Sequence, residues 1–131
     1  MTDKEMVEHI VREIAKSFSG EKSTQDWTDE TIWFDAAPFA CVGKNKAIAA
    51  FDNAFAQLQS LDVEILDMRT RIMDKAALVC SVQNWHLVMK NGDKLDLIMR
   101  QSNYLEKHND KWQVLHEHTS NVPNWDGKIV E

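Results

Sequence analysis

Residues 82–121 read VQNWHLVMKNGDKLDLIMRQSNYLEKHNDKWQVLHEHTSN: three long runs of β-branched, aromatic and alternating polar residues, broken at KNGDK and KHNDK. Breaks of this composition between extended runs are hairpin signals, so the stretch predicts consecutive antiparallel strands. Asn91-Gly92 fits a two-residue type I′ turn, and residues 108–110 fit a three-residue loop with Asp110 in the left-handed position. Strands are expected at about 63–73, 76–89, 95–107 and 112–121. These exceed the usual strand length of about 5–6 residues, so the sheet has to twist and curl.

The N-terminal half supplies helices. Thr2 and Glu5 form a capping box, and Val7, Ile10, Val11, Ile14 and Phe18 recur at helical spacing up to Gly20. A short helix is expected over 23–30, then a strand TIWFD and, past Pro38, a short strand FACV. Gly43 opens a further helix with an apolar stripe of Ala47, Ile48, Phe51, Phe55 and Leu58. Amphipathic helices followed by a long curled antiparallel sheet define an α+β class, a cone-shaped barrel whose helices pack on one sheet face.

The chain has 131 residues, 44% of them hydrophobic, which suits one domain over 1–131 with a single core and one internal pocket. Fifteen Lys and Arg stand against 21 Asp and Glu, a net charge of -6, which argues against a nucleic-acid partner. The N-terminus carries charges every few residues and reads neither as a signal peptide nor as a membrane span, so no membrane partner and a cytoplasmic location are expected. Cys41 and Cys80, far apart inside apolar runs, read as reduced core residues. The run AALVCSV, residues 76–82, is apolar at nearly every position, which buries both faces of its strand and points to a homodimer through the sheet.

Turn geometry sets register and therefore which side chains meet. A two-residue first turn puts Gln83 opposite Arg100 and Trp85 opposite Ile98. A three-residue second loop puts Arg100 opposite His118 and Ser102 opposite His116. One face then collects Ser81, Gln83, Trp85, Ile98, Arg100, Ser102, His116, His118 and Ser120, a polar and aromatic set suited to a pocket.

The segments IMRQSNYLEKHNDKWQVLHEHTSNVP and IWFDAAPFACVGKNKAI resemble the SnoaL-like and ketosteroid-isomerase-like proteins of the nuclear transport factor 2-like superfamily. The marks are Arg100 two residues before Ser102, Trp112 opening the last strand, and His116, His118 and Ser120 before Pro123. Upstream they are Trp33, Asp35, Pro38 and Gly43. The resemblance implies a cone-shaped pocket, usually a dimer, and functions from isomerase, dehydratase or cyclase to pure binding. The association domain of calcium/calmodulin-dependent kinase II belongs to the same superfamily, which makes a non-catalytic association module the alternative. The chain departs from the pattern at the inserted Asn121, and an acid-and-tyrosine pair of the steroid-isomerase type cannot be placed.

The residues themselves suggest proton-transfer chemistry on a small, partly apolar molecule. Asp35, beside Trp33, Phe34 and Phe39, is a candidate base with a carboxyl raised by desolvation, and His116 and His118 are candidate acid–base groups. Arg100 requires an anion, either Asp35 or an acidic ligand. Trp33, Gln83, Trp85, Ser102 and Ser120 complete the expected ligand-binding set. A metal site needs a third ligand beside the histidine pair, so none is expected, and no cofactor motif is present.

Overall fold

The computed structural model describes all residues, Met1–Glu131. The capping box forms: Thr2 Oγ1 accepts from the Glu5 amide at 3.1 Å and Glu5 Oε1 from the Thr2 amide at 3.2 Å. Helix α1 (Asp3–Lys16) follows and buries Val7, Ile10 and Val11. The second helix lies earlier than expected, as α2 (Gly20–Ser23), and β1 (Trp27–Phe34) already occupies the second half of residues 23–30. Ser19 caps α2, its hydroxyl accepting from the Lys22 amide at 3.2 Å, and Gly20 follows because a Cβ there would overlap the Ile48 carbonyl oxygen. The rest runs β2 (Ala40–Val42), α3 (Lys44–Phe55), β3 (Leu58–Met73), β4 (Ala76–Met89), β5 (Lys94–His108) and β6 (Lys111–Asn121).

The fold is α+β, with strand order β2-β1-β6-β5-β4-β3. All neighbours are antiparallel except β1 and β6, which run parallel, so the curled sheet is mixed. It ends at β2 and β3 without closing into a barrel. Helices α1 and α3 fill the concave side. The core there joins Val7 and Val11 to Val79, Leu105, Trp112 and Val114.

Both hairpins differ from expectation. The first is a three-residue loop, residues 90–92, closed by the Met89 amide to the Asp93 carbonyl at 2.8 Å, with Gly92 at φ 96°. Gly92 supplies a left-handed conformation that a side chain would strain. The partners become Gln83–Met99 and Val82–Arg100, a slip of one residue. The second is a two-residue turn, with Asn109 at φ 52° and Asp110 at φ 61°. A bulge follows, in which β6 carries Leu115 as an extra residue between the pairs Leu105–Val114 and Tyr104–His116. The bulge is braced by the Thr31 hydroxyl, which donates to the Val114 carbonyl at 2.5 Å.

The second face of β4 is partly covered by the chain itself. Residues 122–131 cross the convex side, where Gly127 lies against Leu66, Val82 and Ile98, and Val82 is 3% exposed. Uncovered apolar groups remain at the other end of that face: Ile32, Phe34 and Val42 are 42%, 44% and 54% exposed.

Candidate functional site

Alternation along the corrected register splits the expected polar face in two. Gln83 and Trp85 of β4 point to the concave side, as do Met99, Gln101 and Asn103 of β5. Arg100, Ser102, His116, His118 and Ser120 share one face, as expected, but it is the convex one. There Arg100 is exposed and donates to Ser120 at 3.4 Å. His116 Nδ1 lies 2.8 Å from the Ile32 carbonyl oxygen. Phe34 sits edge-on to both imidazoles, at ring separations of 5.3 and 5.5 Å. These five residues are thus separated from the cavity by the sheet. Among the site residues expected from sequence, Trp33, Asp35, Gln83 and Trp85 line it together.

That cavity, of about 390 Å³, lies between the helices and the concave face. One wall is an aromatic stack: Trp33 lies on Phe51 at 4.2 Å and 14°, and Phe51 on Phe55 at 5.8 Å and 20°. Leu61, Val63, Leu87 and Leu95 line the opposite side. The floor is a hydrogen-bonded ladder. Trp85 Nε1 donates to Gln83 Oε1 at 2.8 Å, Gln83 Nε2 to Gln101 Oε1 at 3.3 Å, and Gln101 Nε2 to Thr119 Oγ1 at 3.2 Å. Such a ladder fixes amide orientations in an otherwise apolar chamber.

The chemistry rests on two carboxyl groups. Asp35 directly follows β1 and is half-buried, its Oδ1 accepting from the Ala36 amide at 2.7 Å. Burial pushes its carboxyl above the usual range, and the Ala36 and Ala37 amides partly offset this. Glu117 of β6 is 2% exposed, and its Oε1 has no hydrogen-bond partner. Burial, and then the Asp35 charge, push Glu117 up to about 8. It is therefore mainly a neutral acid at neutral pH. The residue paired with it across the strands, Asn103, is fully buried and also leaves its Oδ1 without a partner.

Glu117 lies between the two histidines and is not among the site residues expected from sequence. Period-two alternation from Trp112 and Val114 carries His116 and His118 inward. The extra residue Leu115 reverses that phase and turns Glu117 and Thr119 inward instead. No Lys, Arg or His lines the cavity, and no group of three or more His, Cys, Asp or Glu side chains is placed to hold a metal.

The chain is thus an open cone of helices on a curled mixed sheet, with the half-buried Asp35 and the buried Glu117 lining its cavity. The chain belongs to the SnoaL-like family, whose domain model matches residues 7–124. No curated protein matches it in sequence. Among solved structures, it is similar to a putative dehydratase of the NTF2-like family from Streptomyces avermitilis. That match has a TM-score of 0.82 and 14% identity, over 92% of this chain and 97% of the other. It is similar also to a ketosteroid isomerase-like protein from Erwinia carotovora atroseptica, with a TM-score of 0.78 and 16% identity, over 92% and 97%. A third is a putative calcium/calmodulin-dependent protein kinase II association domain from Xanthomonas campestris, with a TM-score of 0.75 and 18% identity, over 92% and 85%. At these identities the likeness is one of fold. No helix is long and apolar enough to cross a membrane.

Proposed function

We propose that the protein binds a small, largely apolar molecule in the cone and moves a proton on it, as an isomerase, dehydratase or cyclase does. The observation that carries this is Glu117, a buried acid with an unpartnered oxygen that lines an aromatic cavity together with a second carboxyl, Asp35. Two titratable groups whose environments hold them in different protonation states at one pH form an acid–base pair. The Asp35 carboxylate takes a proton from a carbon beside a carbonyl, and the electron pair moves onto the carbonyl oxygen. The Glu117 O–H hydrogen-bonds that oxygen as charge develops. Where the substrate carries a β,γ-double bond, return of the proton to the γ-carbon of the dienolate, with the double bond moved to the α,β position, completes an isomerisation. Loss of a β-hydroxyl as water, protonated by Glu117, completes a dehydration.

A homodimer belongs to the same proposal. The exposed Ile32, Phe34 and Val42 form an apolar strip on the convex face that a second copy would cover, leaving both cavities on the outside. An association-only module would use that strip, yet it has no use for an unpartnered acid lining a largely apolar cavity.

Hydrogen–deuterium exchange of 2-tetralone in D2O, followed by NMR, tests the proton transfer. The protein is expected to accelerate exchange beside the carbonyl, and Asp35→Asn to lower that acceleration about 10²–10⁴-fold. Exchange no faster than in buffer, or exchange that survives Asp35→Asn, would sink the reading.

A further inference from the structure

We infer that the cavity is built for a lipophilic organic cation, a protonated amine whose N–H groups reach Asp35 and Glu117 Oε1 while its hydrocarbon body lies against Trp33, Phe51 and Phe55. The inference rests on the reading of the cavity as the functional site, and it concerns which molecules enter rather than what happens to them.

Charge inside the cone carries the argument. Asp35 and Glu117 are the only ionisable side chains lining it. The Asp35 carboxylate has backbone amides as its partners and no cation beside it. Arg100, the side chain expected to neutralise it, is on the other face of the sheet. A negative chamber with no internal counter-charge is complementary to a cation, and it repels a carboxylate or phosphate.

Two further features fit the same ligand. Glu117 Oε1 is a buried acceptor lacking a donor, which an ammonium N–H provides. The Trp33–Phe51–Phe55 stack offers ring surface to a cation, an attraction that strengthens where water is excluded. A neutral ketone or alcohol uses the apolar walls equally well but leaves the Asp35 charge uncompensated.

Binding of a cation also has a proton signature. An ammonium beside Glu117 favours its ionised form and lowers its carboxyl from about 8. Binding at pH 7 then releases up to one proton, whereas a neutral ligand releases none.

Three ligands on one ring system make the test: 2-aminotetralin, 2-tetralol and tetralin-2-carboxylate, titrated into the full chain by calorimetry at pH 7 in two buffers of different ionisation enthalpy. The amine is expected to bind at least about tenfold more tightly than the alcohol, with proton release, and the carboxylate not to saturate. Asp35→Asn, checked for folding by thermal unfolding, is expected to bring the amine down to the alcohol's affinity. Glu117→Gln is expected to abolish proton release. An alcohol that binds as tightly as the amine, saturable binding of the carboxylate, or failure of the amine to saturate overturns the inference. Amine preference without exchange of 2-tetralone overturns the proton-transfer reading and leaves this one standing. Exchange without amine preference does the reverse.

Discussion

The two faces of the β5–β6 hairpin are built from alternate residues of the same segments and have opposite characters. The concave face carries Gln101, Asn103, Glu117 and Thr119, all buried, all polar, and tied largely to one another. The convex face carries Arg100, Ser102, His116, His118 and Ser120, more exposed and richer in side chains familiar from active sites. Residue type is therefore a poor guide to which side lines the cavity. A glutamate buried beside an aromatic cavity has its protonation set by the fold, whatever its neighbours along the chain.

The test with the largest expected effect addresses the concave face. Glu117 is held neutral in the folded protein, up to about 8, while in the unfolded chain it ionises near 4.5. Its contribution is therefore fully favourable below about pH 4.5, declines as pH rises, and levels off above about 8, where the folded form ionises too. The decline is on the order of 5 kcal/mol across that window. Urea unfolding of the wild type and of Glu117→Gln from pH 4 to 9 should show the variant gaining relative stability as pH rises. Parallel curves would mean that the carboxyl is not held neutral.

This group was hidden from the sequence for a physical reason. The helices, the strand series, the capping box and the pocket wall at Trp33 and Asp35 follow from local patterns, which short-range interactions enforce. Facing is different, because it depends on turn length and bulges to the single residue. At Lys90–Gly92 the chain uses three residues where Asn91-Gly92 alone satisfies a turn, which sends Arg100 to the convex side. At the second hairpin, a shorter turn and the extra Leu115 offset each other, so Arg100 and the histidines still share a face. The mark left in the sequence is Glu117 itself, a lone acid in a segment otherwise free of carboxylates from Trp112 to Trp125.

The convex face should respond through assembly rather than chemistry. Phe34, 44% exposed between His116 and His118, is central to the apolar strip. Phe34→Glu places a charge there and should weaken self-association about 30-fold or more in sedimentation velocity, with 2-tetralone exchange retained. A wild type that sediments as a monomer would remove the dimer from the reading.

The device that separates the faces has its own test. Thr31→Val keeps the shape but removes the hydroxyl that donates to the Val114 carbonyl at the bulge. The unpaired buried carbonyl should cost about 1–2 kcal/mol in urea unfolding. Because the bulge turns Glu117 inward, slower 2-tetralone exchange should accompany that loss. Lost stability with exchange unchanged would show that the remaining pairs of β6 hold the facing without Thr31.

The smallest effect is expected at the residue whose type looks most functional. Arg100 is exposed, forms no ion pair, and donates to Ser120 across 3.4 Å. The sheet lies between its guanidinium and the cavity, and charges separated this way with access to water are screened within roughly 10 Å at ordinary salt. Arg100→Leu should therefore change 2-aminotetralin affinity and 2-tetralone exchange by less than about twofold, within the range usual for surface substitutions. A larger loss of amine binding is unexpected on charge grounds as well, because removing a cation makes the protein more attractive to an amine. If Arg100→Leu did abolish exchange, the guanidinium would have to reach Asp35. Arg100 and Gln83 would then have to be cross-strand partners, and the one-residue slip at Lys90–Gly92 would be wrong.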